Sequence, residues 1–496
     1  MKKNEKIMPR ELKQLGFYDL ELCKAAGKTA KRQLQKKLFA KEIVLAQLKA
    51  VLDQPETFLN DDDFKHLAGA VVARQAFNEA LRAQDSLPEL RKTALPYTIY
   101  GAEGIEAGAK KQMEVAMQLP IALAGALMPD AHQGYGLPIG GVLATEPYAV
   151  IPYAVGVDIA CRMCLSIFET EASYLDKHAQ QLKNLLLKNT CFGAGKGFEK
   201  PMADDLFDRP EWQATKVIRD LKKKALAQVG TSGTGNHFVE WGWLEINTPS
   251  EALGLPSGQY LALLSHSGSR GFGAGIAAHY TQIALQTTPL PAEAKHLAWL
   301  DLRTEAGQEY WIGMQLAGDY AAANHHHIHK KMARDLGLAP LKMIENHHNF
   351  AWKELLSNGQ EVIVHRKGAT PAQAGVLGII PGSMSQPGFV VEGLGQAEAL
   401  LSASHGAGRL MSRGKAKKDL RPEDWEAELR RNKVSLMGGD LDEAPMAYKD
   451  LHQVMLHQAE LVKALARFVP RIVRMADAEK SRPHRKKSPR ISFEES

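Results

Sequence analysis

The side chains best suited to chemistry sit in short polar motifs set among glycines. Asp158 and Cys161 lie three residues apart in VGVDIACRMC at 155–164. A carboxylate and a thiolate at that spacing can address one metal ion or two adjacent ones, and a bridging thiolate is kept deprotonated by the cations it joins. His237 in GTSGTGNHFVE, His266 in HSGSRGFG and His348 in ENHHNF could complete such a site, since imidazole suits manganese, iron, cobalt and zinc. Any one of these histidines has an ordinary structural reading. As a group they sit in Gly- or Asn-bearing loops and not on apolar faces, which favours ligation. Similar loops are PDAHQGYGLPIGG at 129–141, HRKGAT at 365–370, PGSM at 381–384 and SHGAGR at 404–409. Loops this rich in glycine bring bare backbone close to a ligand, and their N–H groups can cradle phosphate.

Two further clusters read as structural. Cys161 and Cys164 spell C-x-x-C, but there is no second such pair and Cys23 and Cys191 stand alone. A zinc ribbon or redox pair is disfavoured, and Cys164 is expected as a buried apolar residue. His325, His326, His327 and His329 fall inside a long helical pattern. Consecutive residues on a helix point in different directions, so three in a row cannot chelate one ion. An exposed or partly buried helix face is expected.

These motifs need a scaffold. The chain has 496 residues, 45% hydrophobic and 24% charged, enough apolar content for a sizeable core. Its longest apolar run, 119–128, is broken by Pro120 and falls far short of the roughly 20 residues that span a bilayer. The first residues are basic but lack the apolar core of a signal peptide. No membrane partner and a cytoplasmic location are expected. Four cysteines are too few for a disulfide framework at this length. The net charge of +6 says little by itself about a polyanionic partner.

Residues 1–95 read as a helical N-terminal extension. Over 31–54, Leu34, Leu38, Phe39, Ile43, Val44, Leu48, Val51 and Leu52 recur at helical spacing. Pro55 ends that helix. Asn60 and the run Asp61, Asp62, Asp63 can cap a second, with Phe64, Leu67, Val71 and Val72 as its stripe. A catalytic domain is expected over 96–478. Strands are expected at 142–144, 155–159, 260–264, 362–364 and 389–391, and helices at 294–332 and 451–468. The mixture is not a regular βα alternation, which points to an α+β fold. The basic Pro/Ser-rich stretch 479–496 is expected to be a disordered tail.

In chain order, PDAHQGYGLPIGG, GVDIAC, GNHFVE, HSGSRG, HHN, HRKGA, PGSM, SHGAGR and EAPMAYK resemble the motif set of the RtcB family of RNA ligases, over about residues 97–475. Singly they are weak; in order they are highly specific. The resemblance implies an α+β fold with a central β-sandwich-like core surrounded by helices, GTP as co-substrate and two Mn²⁺ ions. Asp158, Cys161 and His237 would hold one ion. Cys161, His266 and His348 would hold the other. His405 would be the nucleophile that becomes guanylylated, with Arg270 and Arg409 near the reacting phosphates. The guanylate pocket would use Asn236, His237, Phe238, Val239, Glu240, His348, Asn349, Pro381, Gly382, Ser383, Met384, Gly388, His405, Gly406, Ala407, Gly408 and Tyr448. The implied substrate is RNA with a 3′-phosphate or 2′,3′-cyclic phosphate and a 5′-hydroxyl end, in tRNA splicing or RNA repair. His365, Arg366 and Lys367 are candidate contacts to phosphate backbone.

This sequence departs from the family pattern in three places. Met475 stands where the family carries a guanine-contacting lysine near its C-terminus. Gly388 stands about where it often has a serine. The first 95 residues have little counterpart in shorter members. Two other readings remain: a dinuclear metal phosphoesterase or nuclease, which would need the metals but not His405, and a non-catalytic RNA-binding protein. The sequence leaves open which RNA is sealed, whether an activating protein takes part, and the oligomeric state.

Overall fold

A computed structural model of the chain describes residues 7–478 apart from 9–10, 13–14, 18–19, 37–39, 84–87, 172 and 201. The tail expected at 479–496 lies outside the described residues. The chain divides into two compact units, Met1–Leu87 and Pro88–Ser496.

The first unit is built from helices Leu20–Gln35, Lys41–Asp53 and Lys65–Ala83. Val44, Leu48, Val51, Leu67 and Val71 close its core with Phe17 and Ala26. Pro55 opens a short 3₁₀ turn, so the preceding helix stops there. Asp61 Oδ1 accepts hydrogen bonds from the N–H groups of Asp63 and Phe64 at 2.8 and 3.1 Å, starting the third helix as the acidic run suggests. The single stripe expected over 31–54 is divided between two helices. Leu38 and Phe39 lie outside the described residues.

The second unit is α+β, as expected, with two main sheets. The five-stranded sheet runs in the order Thr98–Ile99, Ala122–His132, Ile139–Thr145, Glu361–Lys367, Asn349–Leu355. The eight-stranded sheet follows the path Leu377–Ile380, Gly388–Gly393, Val462–Asp477, Phe238–Ile246, Gly258–Ser267, Arg162–Phe168, Lys342–His347, and Ser435–Gly439 joins it alongside Val462–Asp477. This sheet nearly closes on itself. Asn346, on one edge strand, accepts from Ile379 N–H at 2.9 Å and donates to Ile379 C=O at 3.3 Å on the other, so an amide side chain does there what a backbone ladder does elsewhere. Helix Glu305–Leu336 starts at Thr304, whose hydroxyl caps Gly307 N–H, and stops at Gly337 in the left-handed region at φ +77°.

Three expected elements differ. Residues 155–159 alternate like a strand, but Pro152 seeds a helical turn, Pro152–Val155, and Gly156 at φ +102° turns the chain into a loop. The helix expected over 294–332 begins only at Glu305, after a 3₁₀ turn Lys295–Leu297. The helix expected over 451–468 is six residues long, Leu451–Leu456, and the chain then runs as the strand Val462–Asp477. A β-bulge accounts for the difference. Val390 pairs with Ala466 and Val391 with Ala464, so Leu465 is an inserted residue. The insertion places Val462, Leu465 and Ala466 at a spacing that imitates a helix.

His365 and Arg366 were candidate phosphate contacts, and the structure buries both completely. Arg366 forms a bidentate pair with Glu354 at 2.7 and 3.0 Å and also donates to Ser402 Oγ and Leu400 C=O. His365 lies between Ile151 N–H and Leu143 C=O. Both hold the sheet together. Arg366→Met should therefore strand the Glu354 carboxylate and lower stability by about 3–5 kcal/mol. Thermal unfolding of the full chain checks this; an unchanged midpoint would show that the pair contributes nothing.

Candidate metal and nucleotide site

Four neighbouring antiparallel strands of the larger sheet place the candidate metal donors at one end. His237 immediately precedes Phe238–Ile246, His266 lies near the end of Gly258–Ser267, Cys161 precedes Arg162–Phe168, and His348 follows Lys342–His347. Pairing of Phe238 with His266, Met163 with His266, and Arg162 with His347 sets them in register. Cys161 Sγ lies 3.4 Å from His237 Nε2 and 3.0 Å from His266 Nε2, and His266 Nε2 lies 3.4 Å from His348 Nε2. Asp158 Oδ2 is 3.0 Å from His237 Nε2. All five expected donors thus converge.

The second layer fixes which nitrogen faces inward. His237 Nδ1 donates to Ser232 C=O at 2.7 Å and His266 Nδ1 to Asn236 C=O at 3.2 Å, leaving both Nε2 lone pairs aimed at the thiol. His348 Nδ1 is buried without a partner. Whichever tautomer His348 takes, one of its nitrogens is poorly satisfied by protein alone. Burial, with the neighbouring imidazoles, pushes His266 down to about 3 and His348 well below its usual range, so both rings are neutral. Burial alone would raise the Asp158 carboxyl. The close His237 imidazole and the nearby Arg270 guanidinium more than offset it and hold Asp158 below its usual value. This soft and borderline donor set, crowded with inward lone pairs, fits divalent first-row metals.

The loop carrying Asp158 and Cys161 is held under strain, with Ala160 at φ +57°. Asn349 anchors it: Ala160 N–H donates to Asn349 C=O at 2.7 Å and Asn349 Nδ2 donates to Asp158 C=O at 3.3 Å. Gly268 is required by close approach, because a Cβ there would lie 2.3 Å from the Asp158 carboxylate oxygens.

Beside this cluster stands His405, its ring centroid 4.9 Å from that of His348. His405 Nδ1 lies 2.7 Å from Asp130 Oδ2, which also accepts from the backbone N–H of His405 at 3.2 Å. Asp130 is fully buried. Lys449 Nζ donates to the carbonyls on either side of it, those of Pro129 and Ala131, at 3.1 and 2.8 Å. The carboxylate therefore holds the proton on Nδ1 and leaves Nε2 as a free lone pair. The sequence pattern singled out PDAHQGYG but gave Asp130 no role. A carboxylate inside a glycine-rich motif was the available signal.

The five donors and His405 line one cavity of about 360 Å³, within the range of roughly 300–1,000 Å³ typical of small-ligand pockets. Asp158, Cys161, Asn236, His237, Phe238, His266, Arg270, His348, Asn349, Pro381, Gly382, Ser383, Met384, His405, Gly406, Ala407, Gly408, Arg409 and Tyr448 all line it. Val239, Glu240 and Gly388 do not. Val239 packs into an apolar cluster with Phe168 and Trp241. Glu240 is buried across from Val473, where desolvation pushes its carboxyl well above the usual range. Gly388 begins a strand, and a side chain there would press on Pro381 Cα at 3.0 Å.

The two arginines differ. Arg270 Nε donates to Thr231 Oγ1 at 3.1 Å, with the guanidinium packed against Gly233. Arg409 is committed to Met411 C=O, Tyr448 Oη and Asp442 C=O at 3.1, 3.2 and 2.6 Å. Lys367 also lines the cavity, unlike the two residues before it. It donates to Tyr135 C=O at 2.5 Å, and burial pushes its ammonium down to about 7. Met475 is buried, pairs with Phe238 and joins Val473 and Met384 in an apolar wall of the cavity.

The sequence comparisons agree with this geometry. A family profile described as tRNA-splicing ligase RtcB matches residues 112–476. The RNA-splicing ligase RtcB of Escherichia coli K12 is 33% identical over 390 residues, covering 73% of this chain and 92% of that protein. The RNA-splicing ligase RtcB of Mycobacterium tuberculosis is 30% identical over 424 residues, covering 72% and 98%. The tRNA-splicing ligase RtcB of Thermococcus kodakarensis is 29% identical over 416 residues, covering 69% and 86%. The span of these matches, together with the converging motifs, establishes that the chain belongs to the RtcB family of splicing ligases.

Proposed function

We propose that this chain is a cytoplasmic RNA ligase, dependent on GTP and Mn²⁺, that joins an RNA 3′-phosphate or 2′,3′-cyclic phosphate to a 5′-hydroxyl in tRNA splicing or RNA repair. Residues 96–478 would be its catalytic domain and 1–95 a helical extension. The observation that carries this reading is the His405–Asp130 pair standing against a cluster of one thiol, three imidazoles and one carboxylate. A metal-dependent hydrolase needs the cluster alone. A nucleophilic imidazole aligned by a buried carboxylate beside it favours a covalent nucleotide carrier.

Asp158, Cys161 and His237 would hold one ion and Cys161, His266 and His348 a second. Bound there, two divalent cations supply charge stabilisation for phosphoryl transfer. The chain's own residues do the rest. His405 Nε2 attacks the α-phosphorus of GTP, an N–P bond forms, the bond to the bridging oxygen breaks and pyrophosphate leaves with the electron pair. The imidazole gains positive charge in this step, and Asp130 offsets it while keeping the proton on Nδ1. Arg270 offers its guanidinium to the phosphates. A 2′,3′-cyclic phosphate is first opened by water, which breaks the bond to the 2′-oxygen and leaves a 3′-phosphate. An oxygen of the RNA 3′-phosphate then attacks the same phosphorus and releases His405. The 5′-hydroxyl attacks the activated RNA phosphorus, loses its proton, and GMP leaves. Phe238, Met384, Val473 and Met475 give the nucleobase an apolar wall. Met475 offers no hydrogen-bond donor in place of a lysine.

Incubation with Mn²⁺ and α-labelled GTP should give an acid-labile, alkali-stable protein label that is absent from His405→Ala and from chelator-treated protein. RNA cleavage by His405→Ala without any GTP-derived label in the parent would instead favour a nuclease. Asp130→Asn keeps the shape but offers the imidazole the wrong partner, so label formation should slow on the order of 100-fold or more. Metal content should stay unchanged. Equal labelling rates in the two proteins would remove Asp130 from the mechanism.

A further inference from the structure

Helix Glu305–Leu336 turns a buried polar stripe towards the back of the metal cluster. Asn324 and His325 are fully buried and His329 nearly so, while His326 on the same helix is exposed. Asn324 Nδ2 donates to Gly268 C=O at 2.8 Å, and Gly230 N–H donates to Asn324 Oδ1 at 2.8 Å. One amide thus ties together the loop that leads to His237 and the loop whose Gly268 lies against the Asp158 carboxylate.

The two histidines continue the connection through a chain with one proton direction. Ser267 C=O can only accept, so His325 Nε2 donates to it at 3.2 Å. His325 Nδ1 then accepts from Ser265 Oγ at 2.6 Å, Ser265 Oγ accepts from His329 Nε2 at 2.8 Å, and His329 Nδ1 accepts from Ser166 Oγ at 2.7 Å. Ser267 Oγ in turn lies 3.2 Å from Ser232 C=O, the carbonyl that orients the His237 ring. Ser265 and Ser267 flank His266 on the strand and face the opposite side of the sheet.

Cys164, His325 and His329 lie close enough together to suggest a third ion. The Ser265 hydroxyl already joins both inward ring nitrogens, and burial pushes the Cys164 thiol well above its usual range, so it stays protonated.

We propose that Asn324, His325 and His329, acting through Ser265 and Ser267, are positioning residues that set the affinity of the Cys161 cluster for divalent metal. The proposal rests on reading that cluster as a metal site. It is tested by titrating Mn²⁺ into the metal-free full-length protein, with its thermal midpoint measured in parallel. Asn324→Asp keeps the acceptor for Gly230 but loses the donor to Gly268. Ser265→Ala cuts the histidine chain at its hub and serves alone should Asn324→Asp not fold. Each should weaken Mn²⁺ binding about 10–100-fold, and His326→Gln should not. Unchanged Mn²⁺ affinity beside a lowered midpoint would reduce the stripe to a purely structural role and overturn the proposal. A further tightly bound metal equivalent in the parent, lost in His329→Ala, would overturn it in another way. A parent protein that takes up no Mn²⁺ would instead bring down the metal reading of the cluster, and this inference with it.

Discussion

Three imidazoles, a thiol and a carboxylate turned inward on one another are the constraint on which the rest of the structure depends. The backbone carbonyls of Ser232 and Asn236 draw the Nδ1 protons of His237 and His266 outward, so the interior of the cluster is rich in lone pairs and poor in protons. Such a grouping is unfavourable in a low-dielectric interior without a cation to share. Much of the surrounding architecture serves to keep it together: the strained backbone at Ala160, the Asn349 anchor, and a glycine at 268 where no side chain fits.

The larger sheet is what makes this crowding possible. Adjacent antiparallel strands lie about 4.8 Å apart, so side chains at matching ends of neighbouring strands arrive at contact distance without long loops. Cys161, His237, His266 and His348 use four consecutive strand ends in this way. The near closure of the sheet, sealed by Asn346 across its edges, limits how far those ends can spread. His405 arrives from outside this sheet, on a turn held by Asp130 from the smaller one.

Much of the donor set was legible in the sequence, because glycine-flanked polar residues have few other reasons to occur in series. What was missed shares a physical cause: the partner is remote in the chain or the local pattern is deceptive. Asp130 stood inside a conspicuous motif, yet its role depends on His405. Val155, Val157 and Ile159 alternate as a strand would, but Pro152 and Gly156 override the alternation. Leu465 is an insertion that counterfeits helical spacing. His365 and Arg366 looked like ligands for an external phosphate because nothing local announces Glu354 as an internal counter-ion. The HHHIH run was expected as a face of mixed exposure. His326 conforms to that, while His325 and His329 belong to a buried network that only a neighbouring strand of serines could reveal.

The separation of His405 from Asp130 by 275 positions has a consequence for biosynthesis. Every donor of the cluster lies between residues 158 and 348, so a nascent chain emerging from the ribosome carries all five donor residues well before it carries His405. The strand Val462–Asp477, inserted between Gly388–Gly393 and Phe238–Ile246, is synthesised later still. On the proposed mechanism, a translation product that stops short of residue 405 holds the five donors yet has no means of becoming charged.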